Sequence, residues 1–377
     1  MSWKSMRLGD VLRLKRGHDL PKNSRTSGDI PIVSSSGITG WHNVAKVAGP
    51  GVVTGRYGTL GEVHYIEGDY WPLNTALYVE DFKGNHPRFA AYLLMTLELG
   101  SQNAAGAVPG VNRNTLHQMP VSVPDVETQR QVAQVFFAYD DLIATNQRRI
   151  ALLEEAARRL YREWFVHLRF PGHEAVKVVD GVPEGWQRKN LFDIAEVDYG
   201  FAFKANQFNS EGVGMPAVRI RDILDTSTST YTTEEVDSSY IIERGDLLIG
   251  MDGIFHMNHW VGGNAYLVQR VCRVRPVDEK FRAFVGLSLR GPIKDLEKTI
   301  QGATVAHLGA KHLKMIELLT PTGLDEELES LNAMLWQGVL LREKNAMLAN
   351  ARNALLPKLM SGQLDVSGIT LPQPEAA

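Results

Sequence analysis

The stretch Thr128–Phe165, TQRQVAQVFFAYDDLIATNQRRIALLEEAARRLYREWF, decides the fold. Its apolar positions Val132, Phe136, Tyr139, Ile143, Ile150, Leu153, Ala157, Leu160 and Trp164 step by four and three, and Asn146 fills the one seven-residue gap in register. A heptad seam of this kind marks a helix that packs along its whole length against another. At the α-helical rise the stretch spans roughly 55 Å, too long for the interior of a small domain. It reads as a spacer.

A second stretch, Leu324–Ser361, repeats the pattern with Leu328, Leu331, Leu335, Leu341, Asn345, Leu348, Leu355 and Leu359, slipping phase around Gly338. Asn345 lies on its seam as Asn146 does on the first. An antiparallel pairing sets these two amides together and places Phe136 near Leu355, Val132 near Leu359 and Leu160 near Leu331. It also puts Arg352 by Tyr139, a geometry for a cation–π contact. The expectation is an antiparallel coiled coil whose register is fixed by Asn146 and Asn345. The alternative is that both amides reach solvent at the seam edge. Asp125 and Glu127 favour the start of the first helix, and Asp325, Glu326 and Glu327 that of the second. Pro357 is expected to kink the second helix or restart it.

Working outward, the chain repeats itself with a period near 195 residues. Leu8-Gly9-Asp10 corresponds to Leu191-Phe192-Asp193, Gly55-Arg56-Tyr57-Gly58 to Gly250-Met251-Asp252-Gly253, and Pro87–Leu93 to Glu279–Val285. The fold class is therefore α+β: two tandem globular parts, each followed by a long helix, in a pseudo-two-fold repeat. In the first part, Asp29–Ser34, Gly51–Thr54, Glu62–Ile66, Thr75–Val79 and Thr115–Val123 read as strands and Pro87–Leu99 as a helix. In the second, Ala217–Arg221, Asp246–Gly250, Trp260–Val261 and Ala265–Val274 read as strands and Lys280–Leu289 as the matching helix. The boundaries follow: residues 1–124, a first globular domain; 125–170, the first spacer helix; 171–186, a linker; 187–322, the second domain; 323–362, the second helix; 363–377, a frayed tail.

Of the 377 residues 44% are hydrophobic, enough for sizeable cores, and the formal net charge is −3. That balance argues against a protein that coats DNA through charge alone. Basic groups must be clustered locally, or a partner must supply them. No apolar run is long enough to span a bilayer, and Met1-Ser2-Trp3-Lys4 carries no hydrophobic signal region, so a cytoplasmic protein is expected. The single Cys272 excludes a disulfide framework and reads as a buried structural thiol. No phosphate loop, HExxH pair, methyltransferase motif or nuclease carboxylate set is present, which favours a binding protein over an enzyme. No catalytic residue and no metal ligand is assigned.

Candidate reading residues lie in loops. Arg13, Lys15 and Arg16, with Lys22 and Arg25, form a basic run that could grip phosphates or be an ordinary charged surface. Ser34, Ser35, Ser36, His42, Asn43, Arg56, Tyr57, Asn112, Arg113 and Asn114 carry groups suited to base edges. In the second copy Arg219, Arg221, Asp252, His256, Asn258, His259, His307, Lys311 and His312 occupy similar places. One scaffold presenting different polar sets, most clearly Arg56-Tyr57 against Met251-Asp252, would read two different sequences.

Four segments carry a family resemblance: Gly55-Arg56-Tyr57-Gly58-Thr59-Leu60-Gly61; Pro124 with Gln129-Arg130-Gln131-Val132; Leu152-Leu153-Glu154 to Leu160; and Ala354-Leu355-Leu356-Pro357-Lys358-Leu359-Met360-Ser361-Gly362-Gln363-Leu364. With the tandem architecture, the chain resembles the specificity subunit of type I restriction-modification systems over roughly residues 1–365. Met251-Asp252-Gly253-Ile254 departs from the pattern by losing the Arg and Thr of the first copy. The resemblance implies a non-catalytic DNA-recognition subunit. Each target-recognition domain would read one half of a bipartite site, and the helices would act as a ruler of about one and a half duplex turns. It implies double-stranded DNA, two methyltransferase subunits and restriction subunits as partners, with no membrane partner. The assembled complex would be an adenine-specific DNA methyltransferase and ATP-dependent endonuclease. No cofactor is expected in this chain; S-adenosylmethionine, ATP and Mg2+ would sit on the partners. The rival readings are a recognition subunit of another restriction class (type IIB-like), a coiled-coil scaffold that binds no DNA, and an enzyme with an unfamiliar site.

Overall fold

The computed structural model describes residues 3–57, 59–97, 110–300 and 306–366. The expected tail from residue 367 onward, Met1-Ser2, Gly58 and the end of the Pro87–Leu99 reading lie outside the described residues. The chain divides into two units, Met1–Ile143 with Leu348–Ala377, and Ala144–Met347.

In the first unit a two-stranded antiparallel ribbon, Lys4–Arg7 against Pro120–Val123, brings the entry and exit of the domain side by side. A four-stranded antiparallel sheet follows in the order Arg13–Arg16, Ala76–Asp81, Gly51–Gly55, Val63–Ile66. Beside it, Ile30–Ser34 pairs antiparallel with Gly37–His42 and parallel with Trp71–Pro72. The helix Pro87–Met95 contributes Phe89, Ala90, Leu93 and Leu94 to a core that also holds Leu8, Leu14, Val52 and Leu77. Thr115–Val123 is not one strand: Asn112 caps a short helix, Arg113–Gln118, and only Pro120–Val123 is extended.

The second unit has the same plan. Gln187–Asn190 pairs with Glu317–Thr320 as the closing ribbon. The four-stranded sheet runs Ala195–Tyr199, Val271–Pro276, Leu247–Gly250, Met257–His259. A five-stranded sheet sets Met215–Val218 parallel to Ala265–Leu267. The expected strand Ala265–Val274 is thus two strands of different sheets, broken where Arg270 turns through φ +74°. Trp260 and Val261 leave the sheet to fill the core, Trp260 donating its Nε1–H to Gly263 O at 2.8 Å. The matching helix runs longer than expected, Arg282–Ile300, through Pro292. Residues 171–186 are an ordered crossing with a small hairpin, Val178–Val179 against Val182–Pro183, and Phe170 stacks on Trp186 at 5.1 Å. Burial pushes the Cys272 thiol up to about 12, as a packed rather than a reactive sulfur requires.

The long helices are Val126–Tyr161 and Asp325–Met360, 36 residues each. Asp125 accepts hydrogen bonds from Thr128 N and Oγ1, both at 3.0 Å, which cap the first and hold the carboxyl below its ordinary range. That helix ends in a wide π turn, Arg162–Val166, which drives Phe165 onto Phe284 and Trp186. The second continues past Pro357 to Met360.

Within the second unit the helix segments run antiparallel: Asn146 Nδ2 donates to Asn345 Oδ1 at 2.9 Å, and farther along the pair Arg342 is bound to Glu154. Within the first, Val132 and Phe136 share a core with Leu359, flanked by Tyr139 and Leu355. Arg352 binds the Asp140 carboxylate rather than the Tyr139 ring, because the carboxylate beside that ring offers a full charge. At the phase slip Gly338 fills no space, and a cavity of about 70 Å³ remains against Ala157, Leu335 and Arg342.

Candidate nucleic-acid interface

In the first domain the strand Gly51–Gly55 runs into a turn held by backbone bonds. Arg56 N and Tyr57 N donate to Thr75 O at 3.0 and 3.1 Å, and Val111 N donates to Arg56 O at 2.9 Å. Tyr57 and Gly110 bridge. A Cβ on Gly110 would lie 2.5 Å from Tyr57 Cε1, so only glycine lets the ring rest on this backbone. The Arg56 guanidinium stands 4.5 Å from the Tyr57 ring centre, and its Nη2 donates to Tyr57 Oη at 3.3 Å. Tyr57 is exposed. A cation and an aromatic face presented together can stack on a base or bind its edge.

Arg113 and Asn114 follow on the short helix and are exposed, while Asn112 Oδ1 is occupied by Asn114 N at 2.9 Å. Arg13 and Lys15 sit on the outer strand of the sheet and share Glu80 at 2.8 and 2.5 Å. The Lys15 hydrogen bond holds the Glu80 carboxyl below its usual range, helped by Arg13 and Arg113. Three cations thus surround one carboxylate and leave net positive charge on this face. Arg16 lies 3.9 Å from Asp19.

The second domain builds the same turn with other side chains. Met251 N donates to Arg270 O at 2.8 Å, Leu308 N donates to Met251 O at 2.7 Å, and Asp252 bridges His307. His307 Nδ1 donates to Asp252 Oδ1 at 2.6 Å, and Arg270 Nε faces Asp252 Oδ2 at 3.4 Å. Lys311 is exposed on the short helix Ala310–Leu313. His312 Nδ1 accepts from Gly309 N at 3.0 Å, and burial with the Lys311 charge lowers its pKa.

Several expected readers also have partners inside the fold. Ser34 and Ser35 are buried, and Ser34 Oγ holds the hairpin turn by accepting from Ser36 N at 3.2 Å; Ser36 and Asn43 are exposed. His42 is buried edge-on to Trp71 at 5.5 Å and accepts from Thr26 N at 3.1 Å. His259 is turned inward: its ring abuts Gly286, its Nε2 is sealed from solvent, and burial drives its pKa down to about 3. Asn258 donates to Leu224 O at 3.3 Å, and Arg221 to Thr230 Oγ1 at 3.1 Å. Arg219 lies on the Phe208 ring at 4.4 Å, and His256 lends its carbonyl to Gly250 N at 2.8 Å. Among the described residues no group of His, Cys, Asp and Glu is placed to hold a metal ion, and no helix is long and apolar enough to cross a membrane.

The family model of the type I restriction modification DNA specificity domain matches residues 1–155 and 183–327, well over half of the chain. The chain belongs to this family. It is similar to the type I restriction enzyme EcoBI specificity subunit of Escherichia coli, 30% identical over 190 residues, which cover 48% of this chain and 40% of that one. It is also similar to the MjaIX specificity subunit of Methanocaldococcus jannaschii, 24% identical over 274 residues, 68% of this chain and 63% of that one. The chain thus spans less than two thirds of these two curated relatives. The S subunit of a type I restriction-modification system from M. genitalium shares the fold, with a TM-score of 0.64 at 13% identity over 95% of this chain and 96% of that one.

The family match covers two segments, and each contains one of the two bridged turns. Within each specificity domain the structure gathers residues from three separate places: 56, 57, 75 and 110 in the first, and 251, 252, 270 and 307 in the second. Thr75 and Arg270 carry no sequence signal of their own. Their backbone oxygens, which accept from the turn, and for Arg270 its side-chain approach to Asp252, reveal that they belong to it.

Proposed function

We propose that this chain is the DNA-recognition subunit of a type I restriction-modification complex. Each domain reads one half-site of a bipartite duplex target through its bridged turn and the exposed short helix beside it, and the paired long helices set the unread spacer. The chain recruits two methyltransferase subunits and, with them, restriction subunits. Methyl transfer from S-adenosylmethionine and ATP-driven cleavage with Mg2+ belong to those partners, which also supply phosphate contacts that a net charge of −3 cannot. The observation that carries this reading is the duplication itself: one backbone frame, held by two matching hydrogen bonds and a matching bridge, presents Arg56 and Tyr57 in one copy and Asp252 and His307 in the other. Different donors and acceptors on one frame give two different half-sites.

The test is methylome sequencing of cells that express the chain with a type I methyltransferase subunit. An asymmetric motif of two short methylated halves around an unread spacer is the expected result. A continuous motif, or no new motif with an active methyltransferase, overturns the reading.

A further inference from the structure

We infer that Arg270 is the base-reading guanidinium of the second domain, the functional counterpart of Arg56 delivered from the opposite side of the same turn. The inference rests on the recognition role proposed above and names a residue within it.

The frame fixes the correspondence. Arg56 N donates to Thr75 O in the first domain, and Met251 N donates to Arg270 O in the second, so Thr75 and Arg270 hold one position. Val111 N to Arg56 O matches Leu308 N to Met251 O, and the Tyr57–Gly110 bridge matches Asp252–His307. On this frame the first domain carries its guanidinium at 56 and a small polar residue at 75. The second buries Met251 at 56's place, only 7% exposed, and carries an arginine at 75's place. Each turn therefore keeps one guanidinium, and it has moved to the facing segment.

Two features mark Arg270 as held for use. Its side chain is 55% exposed, with Nε toward Asp252 Oδ2 at 3.4 Å and Nη1 3.4 Å from His307 Nδ1. Among the described residues Nη2 has no hydrogen-bond partner, so a donor of this half-exposed side chain is left unoccupied. Its backbone, at φ +74°, lies in the left-handed region, which glycine or asparagine adopts with less strain. A guanidinium steadied by a carboxylate and open at one edge suits the O6 and N7 acceptors of guanine.

The experiment uses the complex of the full chain with its methyltransferase subunits and a duplex library varied around the bipartite target. Arg270→Ala should lower discrimination at one base pair of one half-site by about tenfold or more and leave the other half unchanged. Arg56→Ala should do the same in the other half. Arg270→Lys should restore discrimination only in part, because an ammonium has no planar fork that Asp252 can hold at one edge while the other is offered to a base. Arg270→Gly relieves the backbone, so it should melt no lower than the parent while losing the same discrimination. If Arg270→Ala weakens all duplexes equally and flattens the salt dependence, the residue contacts phosphate and the inference fails. It fails equally if the Arg270 variants keep the parent's base preferences. A parent complex with no bipartite preference overturns the functional reading itself, and the inference with it.

Discussion

Gly51 and Asp246 occupy corresponding places at the start of the same sheet strand in the two domains, and the interiors around them differ in kind. In the first, the missing side chain makes room for Tyr70, whose Cε1 would lie 2.2 Å from a Cβ on Gly51. Tyr70 meets Tyr78 edge to face at 6.5 Å. In the second, Ala265 and Arg273 stand where those two rings would be. The space holds the buried Asp246 carboxylate, which accepts from Arg275 Nε and Nη2 at 2.8 and 2.7 Å and from Glu243 N at 2.8 Å. Arg282 Nη1 lies 3.7 Å away. The exchange is coupled, glycine with a ring against a carboxylate with arginines, just as Tyr57 with Gly110 is exchanged for Asp252 with His307. The backbone frame tolerates opposite chemistries if volume and charge are compensated within each pair, and a low-identity repeat can therefore keep its hydrogen bonds.

The largest effect expected from this contrast is Asp246→Ala. It takes the buried carboxylate away from Arg275, which keeps only Glu243 at 3.6 Å, while Arg282 keeps Glu279 at 2.6 Å, and it should cost about 3 kcal/mol, confined to the second unit. Limited proteolysis with peptide mapping would show cuts in 187–322 first; equal susceptibility of the two domains would break the comparison. Acid should act next. The His259 ring is held neutral by burial, with a pKa of about 3 against 6.5 when unfolded. The unfolded chain binds a proton that the folded chain refuses, so stability is full above pH 6.5 and falls as the pH drops toward 3. At pH 5 the loss is about 1–2 kcal/mol. Melting of His259→Gln against the parent across pH 5–7 tests it: the variant should lose this part of the slope.

Gly110→Ala should displace Tyr57 and cost about 1–2 kcal/mol, while His307→Gly at the matching surface position should change the melting temperature little. Equal shifts would mean that the ring does not depend on the glycine. The smallest effect belongs to Tyr70→Phe. Among the described residues the buried Tyr70 hydroxyl has no hydrogen-bond partner, and burial pushes its pKa well up. Its removal should leave stability within about 0.5 kcal/mol or raise it slightly. A clear loss in a thermal melt would mean that a partner, such as an ordered water, holds the hydroxyl.

What the sequence discloses follows from how local each signal is. The heptad seam, the Asp125 cap and the seam asparagines are legible because helix spacing and capping act within a few residues. The closing strands are not. Lys4–Arg7 is exposed throughout and has no alternation, and its partner Pro120–Val123 lies more than a hundred residues away. The bridged turns show through their glycines and the repeat. Ser34, His42 and His259 mislead because a polar residue reads alike whether it faces solvent or is consumed by a turn, and only tertiary neighbours separate the two. Arg270 stays hidden because its position is defined by a carbonyl and a backbone angle, neither of which a residue type reports.

The closing ribbons have an evolutionary and practical consequence. Lys4–Arg7 lies against Pro120–Val123, and Gln187–Asn190 against Glu317–Thr320, so each domain begins and ends at one place. A domain bounded this way is a cassette. Genetic exchange at the two strands of a ribbon can replace everything between them without altering the helix that follows. The same joints are the places to cut when grafting a domain by design.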